Sequence, residues 1–463
     1  MIIENNFMKR VGIIGGGPGG IMSAYFLEKL CDSPLEITLF ELSDRLGGKI
    51  TTPCFKKFPL QYEAGAAEFY DYAHFGEDPL KELIAELGLS ISPMGGSAVI
   101  MNGQILTNAE DIREHLGHTA HQELRAFDLR ARNIMIPDEF YHSDHPEGSP
   151  DQANNYPFSE LLSEIQDDAT QKYVQTLIHS DLATEPSLTN VAYGLQNYLM
   201  NDAEYMLLYG IVGGNEQLPR ELAARIHAQL KMQHRVNRIG KIGQQYLIES
   251  EFEDQVSEEL FDTVIVALPH NKIPSIVFEG DCLSEAVREH QQQYHFPAHY
   301  LRITILFEKP FWQSKLSDSF WMLDQFGGCC LYDESMRQPG GEYGILGWLL
   351  GGDAALEMSE WEDERLIQAA LDSLPEFLQD GRSNFLEGAV HRWPASVNGM
   401  PGGGVQWNHD RRHLPEPVNH PHLFFVGDYL FDSTLNGVLD SAHYVASWIA
   451  TLLHEYHMNS TAR

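Results

Sequence analysis

Cysteine is scarce in this chain. There are five, Cys31, Cys54, Cys282, Cys329 and Cys330, scattered and odd in number, with no C-x-x-C spacing. Neither a disulfide framework nor a zinc site is indicated, and a reducing, cytoplasmic location is expected. The adjacent Cys329 and Cys330 read as two small apolar residues beside a Gly-Gly turn, not as a strained vicinal disulfide. Positive charge is short as well: 31 Lys and Arg stand against 66 Asp and Glu, a net charge of −35. That argues against nucleic acid as a partner. It favours cationic ligands, although a merely solubilising acidic surface accounts for it equally. Long apolar runs are missing too. The stretch from Val438 to His457 is interrupted by Asp440, His443 and His454, too polar to span a bilayer. The acidic, polar start does not read as a signal peptide. Segment 137–157 is rich in Pro, Asp, Asn, His and Gly and is expected to be an exposed loop. Its His142 and His145 lack the further ligands a metal site needs. No internal repeat or low-complexity tract is present.

What the chain does have begins at Arg10. The apolar run Val11-Gly12-Ile13-Ile14 enters a glycine cluster, Gly15-x-Gly17-Pro18-x-Gly20, and a helical pattern follows from Ile21. The next apolar run, Ile37-Thr38-Leu39-Phe40, ends in an acid, Glu41, 21 residues beyond Gly20. This order suits a dinucleotide. Gly15 permits the tight turn, Gly17 lets the pyrophosphate approach the backbone, and Gly20 lets helix pack on strand. The helix N-terminus offers N–H groups, and Glu41 accepts from the adenosine ribose.

The following segment separates FAD from NAD. Arg45-Leu46-Gly47-Gly48-Lys49 resembles the second glycine pair, with its flanking cations, of the flavin-containing amine oxidase superfamily. That group includes monoamine and polyamine oxidases, L-amino acid oxidases, protoporphyrinogen oxidase and carotenoid desaturases. Gly47 and Gly48 allow backbone close to the cofactor and Arg45 suits a phosphate; Lys49 stands where the family usually has arginine. Four further segments are similar to the family's. They are Glu63-Ala64-Gly65-Ala66, the Gly213-Gly214 turn before a helix, the strand Asp262 to Pro269 containing Ala267, and Leu423 to Asp428 with the Gly427-Asp428 pair. The segment from Asn436 through Gly437 and Val438 resembles the helix start under the flavin, and Val236 occupies the place of the family's adenine-contacting backbone. The resemblance implies non-covalent FAD and an α/β fold, with a Rossmann-like FAD-binding domain interleaved with an α+β substrate-binding domain. The expected limits are 1–75, 205–297 and 390–463 for the first and 76–204 and 298–389 for the second.

Three positions bear on the chemistry. Arg302, ten residues before Trp312, stands where many amine oxidases have a lysine that holds a water near the flavin. Arginine keeps the charge but cannot shuttle a proton; the competing reading is an arginine paired to an acid. Trp393 matches a tryptophan that packs near the flavin in the family, or is a plain core residue. Glu68 stands where L-amino acid oxidases carry a carboxylate-binding arginine, so it would attract an ammonium or be ion-paired elsewhere; Arg392 is a substitute anchor for a carboxylate. The tyrosine pair of monoamine oxidases is missing, with Val438 at one position and Ala395 to Met400 at the other. Met322, Phe326, Tyr332 and Trp407 are candidates for an apolar pocket. The leading expectation is hydride abstraction from an amine or amino-acid C–N bond of a small molecule, with oxygen or another acceptor. Desaturation of an apolar or polycyclic substrate is the alternative, and a non-catalytic flavoprotein partner the second. A homodimer stays open.

Overall fold

The structure is a computed structural model and describes residues 9–72, 76–96, 98–141, 156–337, 341–404 and 409–461. His142, His145 and Trp407 lie outside the described residues. The chain divides into two units, each assembled from separated segments. One comprises Met1–Ile50, Glu216–His295 and Pro401–Arg463, the other Thr51–Asn215 and Phe296–Met400. Residues following Ile50 group with the second unit because Phe55, Tyr62 and Ala64 share a buried cluster with Leu306 and Ile345.

The first unit is built on a parallel sheet. Its strand order is Leu423–Phe425, Thr263–Val266, Lys9–Ile14, Leu35–Phe40 and Gln229–Lys231. Val11 is paired with Ile37 on one side and Thr263 on the other, so the glycine loop leaves the middle of the sheet. Covered on both faces, such a strand must be apolar throughout, and Val11 to Ile14 are all buried. The helix Pro18–Leu30 follows, with Pro18 at its first turn. It packs against the long helix Leu435–Thr461, where the rings of Phe26 and His443 meet edge to face at 5.0 Å. A second sheet of Gln255–Phe261, Gln245–Phe252, Arg235–Ile242 and Val277–Glu279 closes over a core containing Val236, Tyr246 and Phe261.

The second unit carries a seven-stranded sheet. Its order is Phe385–Asn398, Pro297–Phe307, Gly344–Gly351, Cys329–Asp333, Phe320–Leu323, Val99–Met101 and Gln104–Leu106. Beside it lie a three-stranded sheet (Phe69–Asp71, Leu207–Ile211, Ile91–Met94) and the helices Asp168–Leu182 and Val191–Leu199. The helix Pro79–Glu86 is capped by Asp78, whose carboxylate accepts from the N–H groups of Leu80 and Lys81. The loop expected over 137–157 is corrected at its start: Pro137–Tyr141 is a short helix, five residues being too few to show a period.

Candidate active site

The first unit assembles a cradle around the glycine loop. Gly15 has φ +106° and its N–H donates to Phe40 O at 2.8 Å, so the turn is tied to the neighbouring strand. A β-carbon on Gly20 would stand 1.9 Å from Gly15 O, which is why helix and strand can pack here only with glycine. Gly17 is different. A β-carbon there would meet only Gly48 Cα, at 3.9 Å, so its open side faces free space. No side chain caps the N-terminus of the Pro18–Leu30 helix, and its first N–H groups remain for a ligand.

Several other cofactor candidates of this unit lie at or beside the same loop. Glu41 Oε2 accepts from Gly16 N–H at 2.7 Å, and Oε1 accepts from the backbone and hydroxyl of Ser43. Arg45 donates to the carbonyls of Leu46, Gly48 and Ile50, and so shapes the turn holding Gly47 and Gly48. Gly48 has φ +53°, and Lys49 Nζ donates to Asp428 at 2.9 Å. Val438 and Ala267 come within 3.5 and 3.8 Å of the place a Gly19 β-carbon would take. Gly427 N–H donates to Ser441 Oγ, and Gly437 N–H to Thr434 Oγ1. Val236 is buried in its strand. A glycine-lined space, uncapped helix N–H groups and a fixed acid fit the pyrophosphate and ribose of a dinucleotide.

The remaining candidates belong to the second unit. The buried Glu63 accepts from Asn215 N–H at 2.8 Å and from Thr52 Oγ1 at 3.0 Å. Asn215 Nδ2 donates to the carbonyls of Ala66 and Ala67, while Trp393 Nε1 donates to Ala64 O at 2.8 Å. Gly65 and Ala66 are thus pinned from both sides. Arg302 is wholly buried and ion-paired with the equally buried Glu334. Arg392 donates to the carbonyls of Ser359 and Trp361 and lies 2.7 Å from Asp363.

Glu68 opens onto a cavity of about 130 Å3 in this unit. Met94, Met200, Met206, Phe320, Met322 and Leu208 give it apolar walls, and Asp181, Asn201, Cys330 and Tyr332 its polar part. Tyr332 donates its hydroxyl to Glu68 Oε1 at 3.0 Å. Asp181 Oδ2 is 3.4 Å from Asn201 Nδ2. Burial, and then the Glu68 charge, push the Asp181 carboxyl up to about 8, so it is protonated at neutral pH. No Lys, Arg or His is among the described residues lining the space. Of the expected pocket residues, Met322 and Tyr332 line it, whereas Phe326 packs against the core on the other side of the sheet. Asp181 and Asn201 were not singled out from the sequence. Asp181 lies in the last turn of the helix Asp168–Leu182, among the buried Ile178, Ser180 and Leu182, which is the signal the sequence offers.

The sequence profile described as "flavin containing amine oxidoreductase" matches residues 19–450. The chain belongs to the flavin-containing amine oxidoreductase family. It is an FAD-dependent oxidoreductase with the mixed α/β fold of that family. Among solved structures, it is similar to putrescine oxidase bound to putrescine, with TM-score 0.72 and 18% identity over 96% of this chain and 99% of that one. Cyclohexylamine oxidase from Brevibacterium oxydans IH-35A gives TM-score 0.71 and 18% identity, covering 96% and 100%. At such identities the likeness is one of fold. Coproporphyrinogen III oxidase of Bacillus subtilis (strain 168) is 38% identical over 97 residues, 20% of each chain. The match thus spans about a fifth of the length of that curated relative. Among the described residues, no helix is long and apolar enough to cross a membrane, and no group of three or more His, Cys, Asp or Glu is placed to hold a metal ion.

Proposed function

We propose that this family member oxidises the C–N bond of a small cationic amine, with oxygen as acceptor. One observation carries the reading: the cavity of the second unit presents two carboxyl groups, Glu68 and Asp181, amid methionine and aromatic walls, without a cation. An ammonium entering it finds a counter-charge in Glu68. Asp181, protonated below about pH 8, adds a carbonyl oxygen as hydrogen-bond acceptor without a second negative charge. The apolar walls exclude water and so strengthen that ion pair. The volume is close to that of an engineered cavity of about 150 Å3 that takes benzene, which favours a compact substrate.

An amino acid suits the site less well, because its carboxylate would face carboxyl groups while Arg302 and Arg392 are engaged elsewhere. Gly15, Gly17, Gly20 and Glu41, with the Gly47–Lys49 turn and Asp428, would hold FAD, which supplies the hydride acceptor when bound. Trp393 and Asn215 would keep the Ala64–Ala67 segment in register. The five cysteines are free thiols, two of them buried, which agrees with a cytoplasmic setting.

The identity with coproporphyrinogen III oxidase favours a second reading, porphyrinogen oxidation. The acidic lining opposes it, since a porphyrinogen's side-chain carboxylates would be repelled. The test is peroxide production over a panel of small primary amines by wild type and Glu68→Gln. Turnover that falls about tenfold or more in kcat/KM in the variant supports the reading. Peroxide from no amine contradicts it.

A further inference from the structure

Arg302, in the second strand of the seven-stranded sheet, lies one strand away from Leu349 and two from Cys330. Its side chain runs across the intervening strand at Gly347, which pairs with Thr304 on one side and Tyr332 on the other. The absence of a side chain at Gly347 provides the room: a β-carbon there would stand 3.2 Å from Arg302 Nη2 and 3.6 Å from Glu334. Through this gap the guanidinium reaches the face of Tyr332, its central carbon 4.9 Å from the ring centroid. The far end of that ring carries the hydroxyl that donates to Glu68.

We infer that Glu334, Arg302 and Tyr332 form a positioning device that fixes the Glu68 carboxylate in the cavity and thereby sets its preference for a cation. The inference rests on the amine reading of that cavity. Each link has a physical reason. Glu334 anchors a guanidinium that would otherwise be a lone buried charge. Among the described residues its Nε and Nη1 have no hydrogen-bond partner, so the Tyr332 ring is a principal compensation on that side. A cation over the ring makes the phenol a better donor. Burial holds the Tyr332 hydroxyl well above its ordinary range, and Arg302 opposes that effect. The stronger donor keeps Glu68 Oε1 engaged at one fixed place, where a swinging carboxylate would hydrogen-bond to its neighbours and offer its charge less well. Arg302 is therefore a positioning residue that acts through Tyr332.

The probe pair is tert-butylammonium and its neutral isostere tert-butanol. The amine has no hydrogen on its α-carbon and cannot be oxidised, so binding alone is read. Calorimetric titration of the FAD-loaded protein gives the ratio of the two dissociation constants. The wild type is expected to favour the cation by at least about tenfold, the scale of one charge-assisted hydrogen bond. Tyr332→Phe and Arg302→Met should each erase most of that preference while tert-butanol binds as before. Arg302→Lys, which keeps a charge but not the planar stack, should restore part of it. Tyr332→Phe removes a single oxygen and keeps the question open should Arg302→Met fail to fold. A wild-type preference that survives in Tyr332→Phe overturns the device alone. A wild-type ratio near one overturns the amine reading and the device together.

Discussion

Lys49 and Asp428, 379 positions apart in the chain, meet as an ion pair of 2.9 Å within the first unit. The pair joins the second glycine turn to the segment that follows the last strand of the parallel sheet. Two stretches that resemble cofactor-binding segments separately are thus one surface, next to the loop of Gly15, Gly17 and Gly20. The consequences can be tested residue by residue.

Glu41 holds the loop through Gly16 N–H and Ser43. Glu41→Ala removes these acceptors and the ribose acceptor together. The dissociation constant for FAD is expected to rise at least about tenfold, the worth of one hydrogen bond to a charged group. Reconstitution of apoprotein followed by flavin fluorescence reads it, and undiminished occupancy contradicts the assignment.

Gly17 and Gly20 should respond oppositely to alanine. At Gly20 the new methyl lies 1.9 Å from a carbonyl oxygen, so the apoprotein itself should lose roughly 1–3 kcal/mol or more. At Gly17, with φ −75° and only Gly48 Cα within 4 Å, the apoprotein should melt as wild type does. Its FAD affinity should nevertheless fall at least about tenfold, because the methyl enters the space kept for the pyrophosphate. Equal FAD binding by Gly17→Ala and wild type would place the cofactor elsewhere.

How much of this was legible in the sequence follows from range. The glycine loop, its flanking strands and Glu41 lie within some thirty residues and follow local rules of turn and helix start. The order of the parallel sheet does not, because Gln229–Lys231, Thr263–Val266 and Leu423–Phe425 come from distant parts of the chain. Glu68 was visible by its position after the Glu63–Ala66 segment, yet its partner Tyr332 comes from the strand Cys329–Asp333, 264 positions away. Asp181 gave only a faint signal: an acid in the last turn of a helix reads as solvated, and only the packing of Met200, Met206 and Met322 around it makes it a cavity group. Gly347, in the strand Gly344–Gly351, reads as unremarkable until Arg302 is seen crossing it.

Asp181 also predicts a pH dependence of stability. Its folded value, about 8, lies above the usual carboxyl value of about 4, so the native state keeps a proton that the unfolded chain releases. This stabilisation is complete below about pH 4 and is lost as pH rises through about 8. Asp181→Asn cannot ionise and escapes the loss. Its melting temperature relative to wild type should therefore climb by roughly 2–5 °C between acidic and alkaline buffer. A constant difference across that range would show that Asp181 is ionised throughout.

The central claim is that a small cationic amine is the electron donor. Anaerobic mixing of the FAD-loaded protein with primary amines, and separately with porphyrinogens and polyenes, tests it most directly, by the loss of the flavin's visible absorbance. The account predicts bleaching by an amine, slowed in Glu68→Gln when the amine is subsaturating. Bleaching by porphyrinogens or polyenes alone would contradict it.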